Sequence, residues 1–188
     1  MSGNPFLDVA ALLAFHDGHG SAGEGAPWSD IVENHRRNAR LWDEEDLARR
    51  RNAPDAEIVA NKRAIDTHNQ ARNDAVERID GALLERLDSA SNGNARLHSE
   101  TAGMMIDRLS ILALKLRAMR AQSMRADASA AHRAACRDKL ARLEAQRVDL
   151  AGCLDALLAD CAAGRARFRI YRQFKMYNDP AFNPRLEE

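Results

Sequence analysis

One predicted helix carries polar residues at positions where a helical bundle normally has leucine. Its residues recur at three- and four-residue spacing, in the order Ile31, His35, Asn38, Trp42, Glu45 and Arg49. This spacing puts all six on one helix face. Only Ile31 and Trp42 are good core residues, so the face brings an imidazole, an amide and two charges to the edge of a core. Charged groups at such an edge lose water and need partners.

The next two predicted helices have similar edges. Along the first, polar residues flank an apolar stripe, and along the second they alternate with Met104 and Ile111. The two sets are Lys62, Asp66, Asn69, Asn73 and Glu77, and Asp107, Arg108 and Lys115. If the three edges face one another, the bundle encloses a mixed polar site.

Such a site has the groups for binding, and for acid–base chemistry on, an anionic metabolite. The candidate catalytic residues are the carboxylates Glu45, Asp66 and Asp107, as a base or as cation ligands, and His35, which can transfer a proton near neutral pH. Arginine and lysine would hold phosphate or carboxylate groups, arginine in a bidentate manner. The candidate ligand-binding residues are Asn38, Trp42, Arg49, Lys62, Asn69, Arg72, Asn73, Arg108, Lys115 and Tyr177.

Two other interpretations of the polar edges stay open. Charged residues beside a helical seam commonly form interhelical ion pairs with no ligand. Alternatively, Asp74 and Glu77, spaced three apart with Asp80, would suit a divalent cation such as Mg²⁺. Exposed helices often contain that carboxylate spacing. We therefore predict no cofactor and no metal site, and keep Asp74 and Glu77 only as candidates.

The sequence predicts an all-α fold, a single bundle of about five helices with an extended C-terminal arm. We expect residues 1–27 to form a short helix, capped by Asn4 before Pro5, and a glycine-rich loop. The bundle core should span 28–163, and the arm 164–188. We expect the first two of the four larger helices over about 28–52 and 55–89. The third should begin at a cap, Ser99 or Thr101, and the fourth should run over about 127–163, with Gly164 as a helix stop.

Composition limits the classes of protein. Aromatic residues make up 5% of the 188-residue chain, and 28 basic residues balance 28 acidic ones. The zero net charge supplies no general attraction to nucleic acid, which is an unlikely partner. No apolar run is long enough to span a membrane and no signal peptide is evident, so we expect a cytoplasmic protein with reduced cysteines. A leucine line from Cys136 to Leu157 favours a homodimer, although the same line could pack internally.

The arm alternates basic and aromatic residues between Arg165 and Lys175. That pattern occurs in proteins that bind nucleic acid or membrane surfaces. We prefer a structural interpretation, in which Phe168, Tyr171 and Phe174 anchor the arm between helices and the basic heads reach water. A turn at Asn178 or Asp179 before Pro180 would then bring Tyr177 to the rim of the polar site.

Four segments carry a family resemblance: NHRRNARLWDEEDLARR, ANKRAIDTHNQARNDAVERID, LHSETAGMMIDRLSILALKL and KMYNDPAFNP. They resemble the bacterial family DUF4254, a domain of unknown function, over about residues 28–184. Ala102 stands where the resemblance leads us to expect a proline. The resemblance implies that the polar edges coincide with shared motifs, and it implies an association with lipopolysaccharide and other surface glycans, but no activity.

Two functions follow as expectations. The first is an enzyme or binding protein for a phosphorylated or sugar-nucleotide metabolite, linked to cell-surface glycan assembly. The alternative is a non-catalytic dimeric scaffold that contacts a glycosyltransferase or another glycan-assembly enzyme. The sequence does not decide whether the chain is an enzyme.

Overall fold

The computed structural model describes residues 6–87, 95–172 and 180–186. The helices in these ranges are α1 (Val9–His16), α2 (Trp28–Ala48), α3 (Asp55–Leu87), α4 (Ala102–Ser123) and α5 (Ala130–Ala162), followed by a 3-10 turn at Pro184–Leu186. Strands β1 (Arg96–Leu97) and β2 (Ala166–Arg167) form a two-stranded parallel pair. Helix accounts for 72% of the described residues, so the predicted all-α bundle is confirmed.

Side-chain caps and a left-handed glycine set several helix ends. The Thr101 hydroxyl accepts a bond from the Met104 N–H, so the predicted cap of α4 is confirmed without a proline at Ala102. At the end of α5, Gly164 has φ +68°, and the N–H groups of Gly164 and Arg165 bond to the carbonyls of Cys161 and Asp160. These bonds form a Schellman motif, as expected for a glycine stop.

Three predicted boundaries were wrong. Helix α1 begins at Val9 because the Asp8 carboxylate accepts bonds from two N–H groups of its first turn; Asn4 and Pro5 lie outside the described residues. Helix α2 ends at Ala48, where the Arg49 N–H bonds back to Asp46 and the last turn tightens. Helix α5 begins at Ala130, three residues later than expected, because Ser129 is its cap. The predicted end of α3 at Ser89 also lies outside the described residues.

The core is built from α2 packed along α3 and α4 packed along α5, with α1 lying against α4 and α5. Its fully buried side chains include Ile79, Leu83, Ile106, Leu109 and Leu154. Each such side chain contributes about 1.5–3 kcal/mol relative to exposure. Leu150, Leu154 and Leu157 of the leucine line are buried in this core, so most of that line packs within the chain.

Arg147, which interrupts the leucine line, ties α5 to the end of α1. Its Nη1 and Nη2 donate to Asp17 Oδ1 and Oδ2, both at 2.9 Å, and Nη2 also donates to the Leu13 carbonyl at 2.9 Å. The Arg147 side chain is 10% exposed. A cation at this position also suits the negative end of the α1 dipole.

The arm begins as β2, which pairs with β1 through the bonds Arg96 N–H to Arg165 O and His98 N–H to Arg167 O. Phe168 is 3% exposed and belongs to the core, as predicted, but Tyr171 is 56% exposed, so its predicted burial as an anchor was wrong. The predicted anchor Phe174 and the turn at Asn178 and Asp179 lie outside the described residues. No helix in the described ranges is long and apolar enough to cross a membrane.

Candidate functional site

A buried hydrogen-bond network joins α2 to α4. Nδ2 of Asn34 and Nδ2 of Asn38 both donate to Asp107 Oδ1 at 2.8 Å. Asn38 Nδ2 also lies 3.0 Å from the Ser110 hydroxyl, and that hydroxyl lies 2.8 Å from His35 Nδ1. Asn34, Asn38 and Ser110 are buried. Asp107 is half-buried, and because a carboxylate that loses water needs donors, the two amides explain why it is tolerated in this interface.

His35 is enclosed by rings. It stacks on His16 of α1 with centroids 4.9 Å apart and meets Phe15 edge-on at 5.6 Å. Burial, followed by nearby Arg117, lowers the pKa of His35 below its usual value. Burial lowers the pKa of His16 to about 3, with smaller contributions from His35 and Arg147. Both imidazoles are therefore held in their neutral form at pH 7.

The Trp42 cavity, of about 390 Å³, lies above this network between α2, α3 and α4. Asn38 connects the two, since it lines the cavity and bonds to Asp107 and Ser110. The polar and aromatic part of the lining consists of Asn38, Trp42, Glu45, Asp46, Arg49, Asn69 and Arg72, and the apolar part of Leu41, Ile111 and Leu114. Six of the predicted site residues therefore line this one cavity: Asn38, Trp42, Glu45, Arg49, Asn69 and Arg72.

The two arginines of the Trp42 cavity differ in their partners. Arg49 pairs with Glu45 at 2.8 Å, one helical turn away. Arg72 Nη2 donates to Asn73 Oδ1 at 3.2 Å, and its buried Nε has no partner among the described residues. A buried guanidinium N–H without an acceptor is costly, so Arg72 is the residue that most needs an added acceptor.

The α4–α5 groove, of about 510 Å³, shares Trp42 with this cavity. Its remaining lining comes from α4 and α5: Lys115, Ala118, Met119, Gln122, Lys139, Arg142 and Leu143. The exposed surface of the lining is carbon only, because the long side chains contribute their stems. Lys115 also lines a third cavity, of about 640 Å³, together with Arg108 and Ile111.

Several predicted site residues are not part of this assembly. Lys62 and Asp66 are exposed on α3 and do not line the cavity, so the predicted single cluster was wrong for them. Lys62 and Asp66 lie on the solvent-facing edge of the apolar stripe of α3, whereas Asn69 and Arg72 lie on the edge that faces the cavity. Arg108 forms an ion pair with Glu100 at 2.5 Å, also away from the Trp42 cavity. Tyr177 lies outside the described residues.

Of the four catalytic candidates, only Glu45 lines the Trp42 cavity. Asp66 is exposed, Asp107 is held by two amides, and His35 lies in the network below, bonded to Ser110. Asp107 and His35 therefore act as supports for Asn38 in this arrangement and do not face the cavity.

Asn73, Asp74 and Glu77 lie further along α3. Asn73 and Glu77 line a separate cavity of about 260 Å³, whereas Asp74 lines an outer groove and accepts a bond from Gln70 Nε2 at 2.7 Å. No three His, Cys, Asp or Glu side chains within 6–87, 95–172 and 180–186 are grouped to hold a metal ion.

Asp80, in the same small cavity, holds the beginning of α4. Its Oδ1 accepts the Gly103 N–H at 2.6 Å, and Thr101 also donates to it. Burial raises its pKa to about 6, against the opposing effect of these bonds. Gly103 is required here, since a Cβ would lie 2.7 Å from the Val76 carbonyl oxygen. The sequence pattern placed Asp80 among carboxylates and gave no signal for this contact.

The fold and the site define a helical-bundle protein with a cavity, lined by both polar and apolar side chains, next to a buried amide and imidazole network. The model of the family described as "Protein of unknown function (DUF4254)" matches residues 28–170. This match covers most of the chain and includes α2 to α5, so the protein belongs to that family. No curated protein matches the chain, and no solved structure matches it.

Proposed function

We propose that the chain binds a phosphorylated or sugar-nucleotide metabolite in the Trp42 cavity. The observation that carries the proposal is the buried Arg72 Nε, which has no partner among the described residues and belongs to a side chain that lines a space also bounded by an indole ring and two amides. Its volume of about 390 Å³ falls in the range of small-molecule sites.

Each group has a role that matches this ligand class. The Arg72 guanidinium donates to phosphate oxygens, since charge-assisted bonds of this type are strong and directional. Asn38, whose Nδ2 already bonds to Asp107 and Ser110, offers its Oδ1 as an acceptor, and the Asn69 amide can both donate and accept, as sugar hydroxyls require. The Trp42 ring offers a flat face for a sugar or base. Lys115, where the adjoining groove begins, adds positive charge.

If the protein also acts on its ligand, Glu45 is the residue in position to serve as a base. It lines the cavity and is half-buried, and its 2.8 Å pair with Arg49 fixes the position of its carboxylate. Glu45→Gln then abolishes turnover while ligand binding persists, because the amide keeps the shape and loses the basic oxygen. The link to surface-glycan assembly rests on the family resemblance.

A thermal-shift panel tests the binding proposal. The panel contains UDP-glucose, GDP-mannose, glucose 1-phosphate, uridine and glucose, each with and without Mg²⁺. A ligand at 100 times its Kd stabilises by about 2.7 kcal/mol, which raises Tm by roughly 5–10 °C in a chain of this size. We expect shifts from the phosphorylated compounds and none from uridine or glucose.

Variants locate the site. Arg72→Gln and Trp42→Leu remove the phosphate donor and the ring, and both should suppress the shift. Lys62→Gln is the matched control, since it removes a charge from the same helix outside the cavity. Equal shifts in all three variants, or none in the wild type, would reject the proposal.

The second proposal is a non-catalytic scaffold, a homodimer or a partner of a glycosyltransferase. The observation in its favour is that Arg49–Glu45 and Arg108–Glu100 pair within the chain, so part of the polar edges is satisfied without a ligand. Light scattering over a concentration series tests it. A dimer mass together with an unresponsive ligand panel supports the scaffold, and a monomer at high concentration rejects a homodimer.

A further inference from the structure

The α4–α5 groove has an apolar floor and a cationic rim. Trp42, Ala118, Met119 and Leu143 form the floor together with the carbon stems of Lys115, Lys139 and Arg142. Along α4 it extends from Lys115 to Gln122, about 10 Å at the helical rise of ~1.5 Å per residue. Burying such a floor under hydrocarbon is favourable.

The charges of the rim have no counter-charge in the part of the chain that the structure describes. No acidic residue of that part lines the groove. Within the described ranges, no ion pair or hydrogen bond engages the side chains of Lys115, Lys139 or Arg142. By contrast, Arg120 of α4 and Glu144 of α5 form a matched bridge at 3.0 Å between the same two helices. The groove thus combines a surface for hydrocarbon with three cations that no described acidic residue pairs with.

We propose that the ligand is an anionic amphiphile, whose hydrocarbon part lies in the α4–α5 groove and whose phosphate lies between its rim and Arg72. The inference rests on the proposed function, because it extends the same phosphorylated ligand from the Trp42 cavity. The ligand class is therefore a lipid-linked phosphate or sugar phosphate, with its polar end toward Asn38 and Asn69.

The arrangement favours a lipid-like small molecule over a partner helix. Trp42 lines both the polar cavity and the groove, so one molecule can occupy both. The groove volume of about 510 Å³ is within the range of small-ligand sites. Its three cations, which have no counter-charge among the described residues, favour an anion at one end of the hydrocarbon, and a phosphate head supplies that anion in a fixed position.

Calorimetry with butyl, hexyl and octyl phosphate, below their micelle concentrations, tests the proposal on the full chain. Each buried methylene is worth about 0.8 kcal/mol, or roughly fourfold in affinity. We expect octyl phosphate to bind at least tenfold more tightly than butyl phosphate. Neutral octyl glucoside should bind more weakly than octyl phosphate, and added salt should reduce that difference.

Four variants separate the floor from the rim. Leu143→Gln and Met119→Gln should remove the dependence on chain length. Lys139→Gln with Arg142→Gln, both at exposed positions that leave the fold intact, should weaken every alkyl phosphate about equally. Arg120→Gln is the control, because it removes a cation from the same helix pair outside the groove.

Affinity independent of chain length overturns the inference, and so does a chain-length dependence that survives both floor variants. A designed acidic amphipathic peptide that binds the groove more tightly than octyl phosphate also overturns it, and assigns the surface to a protein partner. Sugar-nucleotide binding that persists in these cases leaves the proposed function standing. Alkyl-phosphate binding that is unaffected by Arg72→Gln, together with no response to sugar nucleotides, rejects the proposed function and the shared site.

Discussion

Replacing His16 with leucine should raise the free energy of unfolding at acid pH relative to wild type. His16 is 5% exposed, and neither ring nitrogen has a partner among the described residues. Its pKa is about 3 in the folded chain against 6.5 when unfolded. Since the unfolded chain takes up a proton first, the stability that His16 contributes is complete above pH 6.5 and is lost as the pH falls toward 3.

The magnitude follows from the two pKa values of His16. Each pH unit between 6.5 and 3 removes about 1.4 kcal/mol, so about 2 kcal/mol of the free energy of unfolding is lost by pH 5. Asp80 acts in the opposite direction. Its pKa is raised from 3.8 to about 6, so the folded state gains about 1.4 kcal/mol as the pH falls to 5. In wild type the opposing effects of these two groups on the free energy of unfolding nearly cancel as the pH falls to 5. In His16→Leu only the stabilising effect of Asp80 remains.

Urea denaturation at pH 7.5 and pH 5.0 measures the difference. At pH 7.5 the variant should lie within about 1 kcal/mol of wild type, because the lost ring stacking is offset by removing two unsatisfied nitrogens. At pH 5.0 it should be about 2 kcal/mol more stable relative to wild type. His19→Leu, at an exposed position, is the control for histidine content. A His16→Leu effect equal at both pH values would refute the buried neutral imidazole.

Other contacts lead to further predictions. Arg147→Met should lower the free energy of unfolding by about 1.5–3 kcal/mol, because it removes the charge-assisted bonds to Asp17, whose side chain is 23% exposed and can regain water. Urea denaturation measures this, and a loss under 1 kcal/mol would contradict it. Thr101→Ala should cost about 1 kcal/mol or more, since it removes the α4 cap. Gly103→Ala should cost more than Thr101→Ala, because its Cβ would meet the Val76 carbonyl oxygen at 2.7 Å; thermal melts that reverse this order would count against the close packing of α3 on α4.

The helices could be predicted from the sequence because their signals are local. Apolar spacing, the Thr101 cap and the Gly164 stop act within a few residues, and the structure confirms all three. The end of α2 was misplaced because residues 49–52 contain no strong helix breaker, and the tightening at Arg49 is a property of the folded turn.

The site was only partly predictable because it depends on which faces meet. Helical spacing placed Asn38, Trp42 and Glu45 on one face correctly, but on α3 it did not separate the inner residues Asn69 and Arg72 from the exposed Lys62 and Asp66. Which edge of α3 faces the cavity depends on the rotation of α3 against α2, and packing across the whole interface determines that rotation.

Contacts distant in the sequence left no pattern to detect. Ser110 meets His35 across 75 residues, and Arg147 meets Asp17 across 130. Lys139 and Arg142 resemble ordinary solvent-facing residues of α5 until the fold places them beside Trp42.

Titration calorimetry with UDP-glucose as the probe, on wild type, Arg72→Gln and Lys62→Gln, tests the central claim most directly. A bond to a charged donor is worth about 1.5–3 kcal/mol, or roughly 10- to 150-fold in affinity. We predict one site per chain in wild type, a loss of at least tenfold in Arg72→Gln, and wild-type affinity in Lys62→Gln. Absence of binding to wild type, or equal affinity in Arg72→Gln, would contradict a phosphate-binding role for the Trp42 cavity.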